Sequence, residues 1–134
     1  MKKVKLKPID RNYSNNGQHA EQVVKYNLLG TIEKADNTPY YKSGDIGNLQ
    51  VKSARATICK GLDLDKHLAR DKATKYGYVT ADFLRMYIMT KQEYREFCIE
   101  FSTITRESQK NGGQEKLRLK SESRALLEWL ENNL

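Results

Sequence analysis

At 134 residues the chain is the size of one domain, and 38% hydrophobic with 31% charged residues means one modest core under a strongly solvated surface. A formal net charge of +7 selects anionic partners, nucleic acid ahead of a membrane surface. No apolar run approaches the roughly 20 residues that cross a bilayer, and the basic stretch Met1–Pro8 lacks the apolar segment of a secretory signal, so a cytoplasmic protein is expected.

In chain order, residues 1–13 read as a polar arm with a short strand at Val4–Leu6. Ser14-Asn15-Asn16-Gly17 is a turn and helix-start signal, and the spacing of Ala20, Val24, Asn27 and Leu28, widened by Val23, predicts a helix from Gln18 to Leu29. Glu21 falls on the side of Val24 and Leu28, where an unpaired buried charge costs several kcal/mol. It either stays solvated at the rim of the stripe or faces a metal or a lysine. Gly30 stops the helix, and strands are expected near 31–35 and 40–46, separated by the turn Asp36-Asn37-Thr38-Pro39.

Leu49 to Cys59 is the longest strand candidate. Alternation puts Leu49, Val51 and Ser53 on one face and Gln50, Lys52, Ala54, Ala56 and Ile58 on the other. A short helix through His67-Leu68-Ala69-Arg70, capped by Asp63 or Asp65, leads to a hairpin of Tyr76–Thr80 and Leu84–Met89. Thr90 and Glu93 have capping-box spacing, and Tyr94, Phe97, Cys98, Phe101, Ile104 and Thr105 continue a helical stripe. Arg106–Lys116 reads as a polar, Gly-containing loop, Leu117–Lys120 as a strand with Arg118 and Lys120 on one face, and Ser121 or Ser123 as the cap of a last helix. That helix carries Ala125, Leu126, Trp129, Leu130 and Leu134 as its apolar face. The pattern is one domain of mixed α+β or α/β type spanning 1–134.

Cys59 and Cys98 are too few and too far apart for a disulfide framework or a zinc spacing, and their apolar neighbours predict buried free thiols. His19 and His67 are isolated in sequence, which argues against a His/Cys metal cluster.

Chemistry concentrates in Ser43–Ser53. If the chain doubles back at Gly47-Asn48, Asp45 comes beside Gln50 and Lys52, and a carboxylate, an amide oxygen and an ammonium converge. Mg²⁺ prefers oxygen ligands and keeps several waters, so Asp45, the Gln50 side-chain oxygen and the Val51 backbone carbonyl suffice for a site, with Glu21 reaching it through a bound water. Coordination lowers the pKa of bound water, and a neighbouring lysine steadies charge developing on a phosphate.

Glu21 on an early helix, Asp45, and Gln50-x-Lys52 in the next strand resemble the PD-(D/E)XK nuclease superfamily of restriction endonucleases, Holliday-junction resolvases and repair nucleases. Gly44 stands where the family has proline, and Gln50 where it usually has Asp or Glu. The resemblance covers about 18–80, with 81–134 as an elaboration. It implies a restriction-endonuclease-like three-layer core, a central mixed sheet flanked by helices. It also implies Mg²⁺-dependent (or Mn²⁺-dependent) hydrolysis of DNA, with Glu21, Asp45, Gln50 and Lys52 as the catalytic set. Arg55, Lys60, Lys72 and Lys75 surround the site in sequence, and Lys110, Lys116, Arg118 and Lys120 form a second basic group; these are the candidate phosphate contacts. A homodimer through helix 91–107 or Trp129 would give the two sites that double-strand cleavage needs. The competing readings are an RNA or tRNA nuclease of toxin type, a non-catalytic nucleic-acid-binding protein, and an interaction protein that docks an acidic partner.

Overall fold

The computed structural model describes residues 1–10, 13–29, 47–106, 108, 110 and 112–134. The strands expected near 31–35 and 40–46, and Asp45 with them, lie outside the described residues. The fold is mixed α/β, with two sheets and four helices among the described residues.

The first sheet joins β1 (Lys2–Lys5), β2 (Leu49–Lys52), β4 (Lys75–Val79) and β5 (Arg85–Thr90) in the order β1-β5-β4-β2. β1 and β4 run antiparallel to β5, whereas β2 runs parallel to β4. A parallel pair needs a crossover. Here the crossover carries β3 (Thr57–Lys60) and the helix α2 (Leu64–Arg70), whose Asp63 cap accepts a hydrogen bond from the amide of Lys66. The carbonyl of Asn48, just after the left-handed Gly47, accepts the amides of Thr74 and Lys75 and sets β4 beside β2.

Side-chain alternation divides the first sheet into two packed faces. Leu49, Val51, Val79 and Met86 meet Ala20, Val23 and Val24 of α1 (Asn16–Leu29), with Leu6 closing the cluster. Gly77 sits at the tightest point of this layer: a Cβ there would come within 2.6 Å of Met86 Sδ. Tyr76, Tyr78, Tyr87 and Met89 point the other way, into a larger core with Leu68, Phe97, Cys98, Leu119, Leu126 and Leu130. That core is roofed by α2, by α3 (Lys91–Phe101), by α4 (Arg124–Asn132) and by the second sheet, β3-β7-β6, with β6 at Ser102–Arg106 and β7 at Glu115–Leu119. Tyr76 stacks on Tyr94, and Phe97 packs between Tyr78, Phe101 and Trp129.

Several expectations hold. The Tyr76/Leu84 hairpin is β4–β5, the Thr90–Glu93 capping box is complete, Ser123 caps α4, and both cysteines are free and buried. Two need correction. The strand expected over 49–59 is two strands in different sheets, broken at 53–56, where Arg55 adopts φ 66°. The helical stripe expected to reach Thr105 stops at Phe101. Thr103-Ile104-Thr105 are β-branched residues that prefer a pleated strand, and β6 pairs with β7 and leaves Ile104 58% exposed.

No helix among the described residues is long and apolar enough to cross a membrane.

Candidate active site and nucleic-acid surface

The alternation of β2 is the starting point. Leu49 and Val51 are buried under α1, so Gln50 and Lys52 project from the opposite face, level with Tyr76 and Tyr78 on the parallel strand β4. Both are half-buried. The side-chain amide of Gln50 makes no hydrogen bond among the described residues, which leaves its oxygen available to a ligand. The ammonium of Lys52 donates to the carbonyl of Thr57 at 3.0 Å, across the turn that separates the two sheets. Its charge is felt by the groups around it. Burial pushes the Cys98 thiol up to about 12, with the neighbouring Tyr94 hydroxyl and the Lys52 charge working against that rise. Burial holds His67 below its ordinary value; Asp71 raises it, and Lys52 and Lys91 lower it further.

Glu21 stands elsewhere. It lies on α1, the helix that covers the Leu49/Val51 face, and its carboxylate is 3.0 Å from the ammonium of Lys25, a lysine only 1% exposed. The side chain of Val51 belongs to that same layer. The structure therefore brings Gln50 and Lys52 together, and sets Glu21 on the helix at the other face of their strand. Among the described residues no group of three or more His, Cys, Asp or Glu side chains could hold a metal ion. The ligand that β2 itself offers through a side chain is the neutral oxygen of Gln50. A neutral oxygen binds Mg²⁺ only in company with a carboxylate, so the fit of Mg²⁺ rests on Asp45.

The sequence missed one neighbour of Lys52. His67, read as isolated, sits on α2 close enough for the lysine's charge to lower its pKa, with its Nε2 3.9 Å from Asp71 Oδ2. The His67/Asp71 spacing of four along a helix was the available signal. Asp71 is itself tied to Tyr76 Oη at 2.9 Å and to the amide of Ala73, so it serves the end of α2 and the start of β4.

The basic residues fall into separate groups. In the second sheet, Lys60 pairs with Lys116, Thr57 with Arg118, Thr103 with Arg118 and Thr105 with Lys116. Residues directly opposite in antiparallel strands share a face. One face of this sheet thus displays Lys60, Lys116 and Arg118 among three threonines, with no acidic residue among the paired positions described on that face. Arg55 and Lys120 adjoin it: the amide of Arg55 donates to the carbonyl of Lys120, and Arg118 Nε donates to the carbonyl of Arg55 at 3.0 Å. Lys110 is exposed in the β6–β7 connection. Lys72 and Lys75 are exposed at the opposite end of β2, since Leu49 pairs with Lys75 whereas Lys52 pairs with Tyr78.

No family model matches the chain, and no curated protein or solved structure matches it at a significant level.

Proposed function

We propose that the chain is a Mg²⁺-dependent phosphodiesterase acting on DNA, with a restriction-endonuclease-like core. The observation that carries this reading is the pair Gln50 and Lys52: an amide oxygen with no hydrogen bond among the described residues and a positioned ammonium, two residues apart on one face of β2. The resemblance implies a core of helix, three-stranded meander, helix and strand; α1, β2, α2 and a β4 parallel to β2 occur in that order, with β3 inserted between β2 and α2 and the first two meander strands outside the described residues.

Asp45 and Gln50 would hold the metal, which when bound supplies an activated water and offsets phosphate charge. Lys52 sits where it can orient the attacking water or steady charge on the phosphate, and its bond to Thr57 limits the conformations it must give up to do so. The face of Lys60, Lys116 and Arg118 attracts the polyanion.

The deciding experiment incubates the chain with duplex DNA, branched DNA and RNA, in Mg²⁺ and in EDTA, beside Lys52→Ala. Mg²⁺-dependent cleavage of DNA that the variant lacks supports the proposal. Cleavage of RNA alone would replace the substrate.

A second reading has its own support. Glu21 is engaged by Lys25, and Gln50 carries no charge, a combination suited to a nucleic-acid-binding protein whose site no longer cuts. In that case DNA binds with strong salt dependence, and Lys52→Ala changes nothing that depends on Mg²⁺.

A further inference from the structure

Beside the candidate site lies a cleft of about 340 Å³ between the start of α1 and the turn that follows Lys52. Its lining includes Asn16 and Gly17 from the helix, Ser53 and Arg55 from the turn, and Arg118 from β7. No carboxylate lines it among the described residues.

Three features give the cleft the chemistry of an oxyanion site. The first is the end of a 14-residue helix. Asn15 satisfies two of its early amides, its Oδ1 accepting from Gln18 and its carbonyl from His19. The amides of Asn16 and Gly17 donate to no acceptor among the described residues, and unpaired first-turn amides at the positive end of a helix favour an anion. The second feature is Ser53. It continues the alternation of Leu49 and Val51, so its side chain is on the α1 side of β2. It is only 7% exposed, and its hydroxyl makes no hydrogen bond among the described residues. The residue is held by its surroundings while it lines the cleft, so its hydroxyl is available there to a ligand. The third is the pair of arginines. Arg118 spends Nε on the carbonyl of Arg55 and retains both terminal nitrogens, and Arg55 is exposed on a backbone held at φ 66°.

We propose that this cleft seats one phosphate of a nucleic-acid backbone, held by the amides of Asn16 and Gly17, the hydroxyl of Ser53 and the guanidinium groups of Arg55 and Arg118. The assignment to a backbone phosphate rests on the nucleic-acid reading above. Ser53 follows Lys52 in the chain but turns to the α1 side of β2, opposite to Lys52, so the cleft is a second point of contact for the strand, separate from the Gln50/Lys52 face.

The test uses the full chain in EDTA, where cleavage plays no part. Amide resonances are followed during titration with a short DNA duplex and, separately, with inorganic phosphate. The expected result is saturable movement of Asn16, Gly17 and Arg55 with the duplex, partial competition by phosphate, and affinity weakened by about tenfold in Arg118→Gln and in Ser53→Asp. Thermal melting of each variant shows that the fold is kept. Movement with phosphate but not with the duplex overturns the backbone assignment, and silence toward both overturns the site. If the cleft responds while Mg²⁺ produces no cut, the nuclease reading fails and the phosphate site stands. If DNA is cut while the cleft stays silent, the reverse holds.

Discussion

The ammonium of Lys25 lies 3.0 Å from Glu21 Oε1, one helical turn away and almost sealed from solvent. Desolvating an ammonium is costly, and a carboxylate beside it offsets part of that cost. Glu21→Ala should therefore lower stability by about 1–3 kcal/mol in denaturant unfolding. Glu21→Ala combined with Lys25→Met should recover most of the loss, because both charges then leave together. A variant that loses DNA cleavage with stability unchanged would show that the carboxylate acts at a metal instead of on Lys25.

Lys52 and Gln50 give opposite expectations. Lys52→Ala should reduce cleavage by about 10²- to 10³-fold and leave DNA affinity near that of the parent, since the basic face is untouched. Gln50→Glu puts a charge on a side chain that makes no hydrogen bond among the described residues, and should tighten Mg²⁺ and raise the cleavage rate at limiting metal. Metal titration of the cleavage rate checks both, and a drop in activity for Gln50→Glu would remove Gln50 from the site.

Salt dependence separates the basic groups. If Lys60, Lys116 and Arg118 contact phosphates as one face, neutralising each should reduce the slope of log K against log salt by about 1. Lys72→Gln and Lys75→Gln, at the far end of β2, should change that slope little if the second sheet is the platform. The reverse ranking would move the platform to the other end of the first sheet.

The core sets an alkaline limit. Burial raises Tyr76, Tyr78 and Tyr94 above their ordinary 10.0, and raises Cys98 from 9.0 to about 12. Asp71 adds to the shift of Tyr76 and Glu122 to that of Tyr78. Each group holds its proton more tightly folded than unfolded, so its contribution is complete below the unfolded value and lost as pH climbs toward the folded one. Unfolding free energy should be level from neutral pH to about 9 and then fall steeply, and Cys98 should resist alkylation at pH 8 until denaturant is added. On the acid side, hydrogen bonds from Thr80 and the amide of Leu84 lower Asp82 below 3.8, so its contribution disappears as pH falls through that range.

What was legible in the sequence depended on near neighbours along the chain. The capping box of Thr90 and Glu93, the β4–β5 hairpin, and the shared face of Gln50 and Lys52 are set within a few residues. The break after Lys52 was hidden for two reasons. Ile58 and Cys59 are buried on both readings, so hydrophobicity runs on unbroken, and the left-handed residue at the turn is an arginine, where glycine or asparagine would have marked it. The end of α3 was hidden because Phe101, Ile104 and Thr105 keep helical spacing by coincidence; pairing with β7, decided more than ten residues later, overrides it. The nearness of His67 to Lys52, and of Arg118 to the start of α1, comes from chain crossings that local spacing does not encode.

The bond from Lys52 to the carbonyl of Thr57 joins the last residue of β2 to the first residue of β3. It is a latch between two sheets that share no strand. A polyanion drawn onto Lys60 and Lys116 loads β3, and any displacement of that strand either drags the ammonium along or releases it. The lysine of the candidate site is thus tied to the strand that carries Lys60, so the position of β3 sets the position of the ammonium.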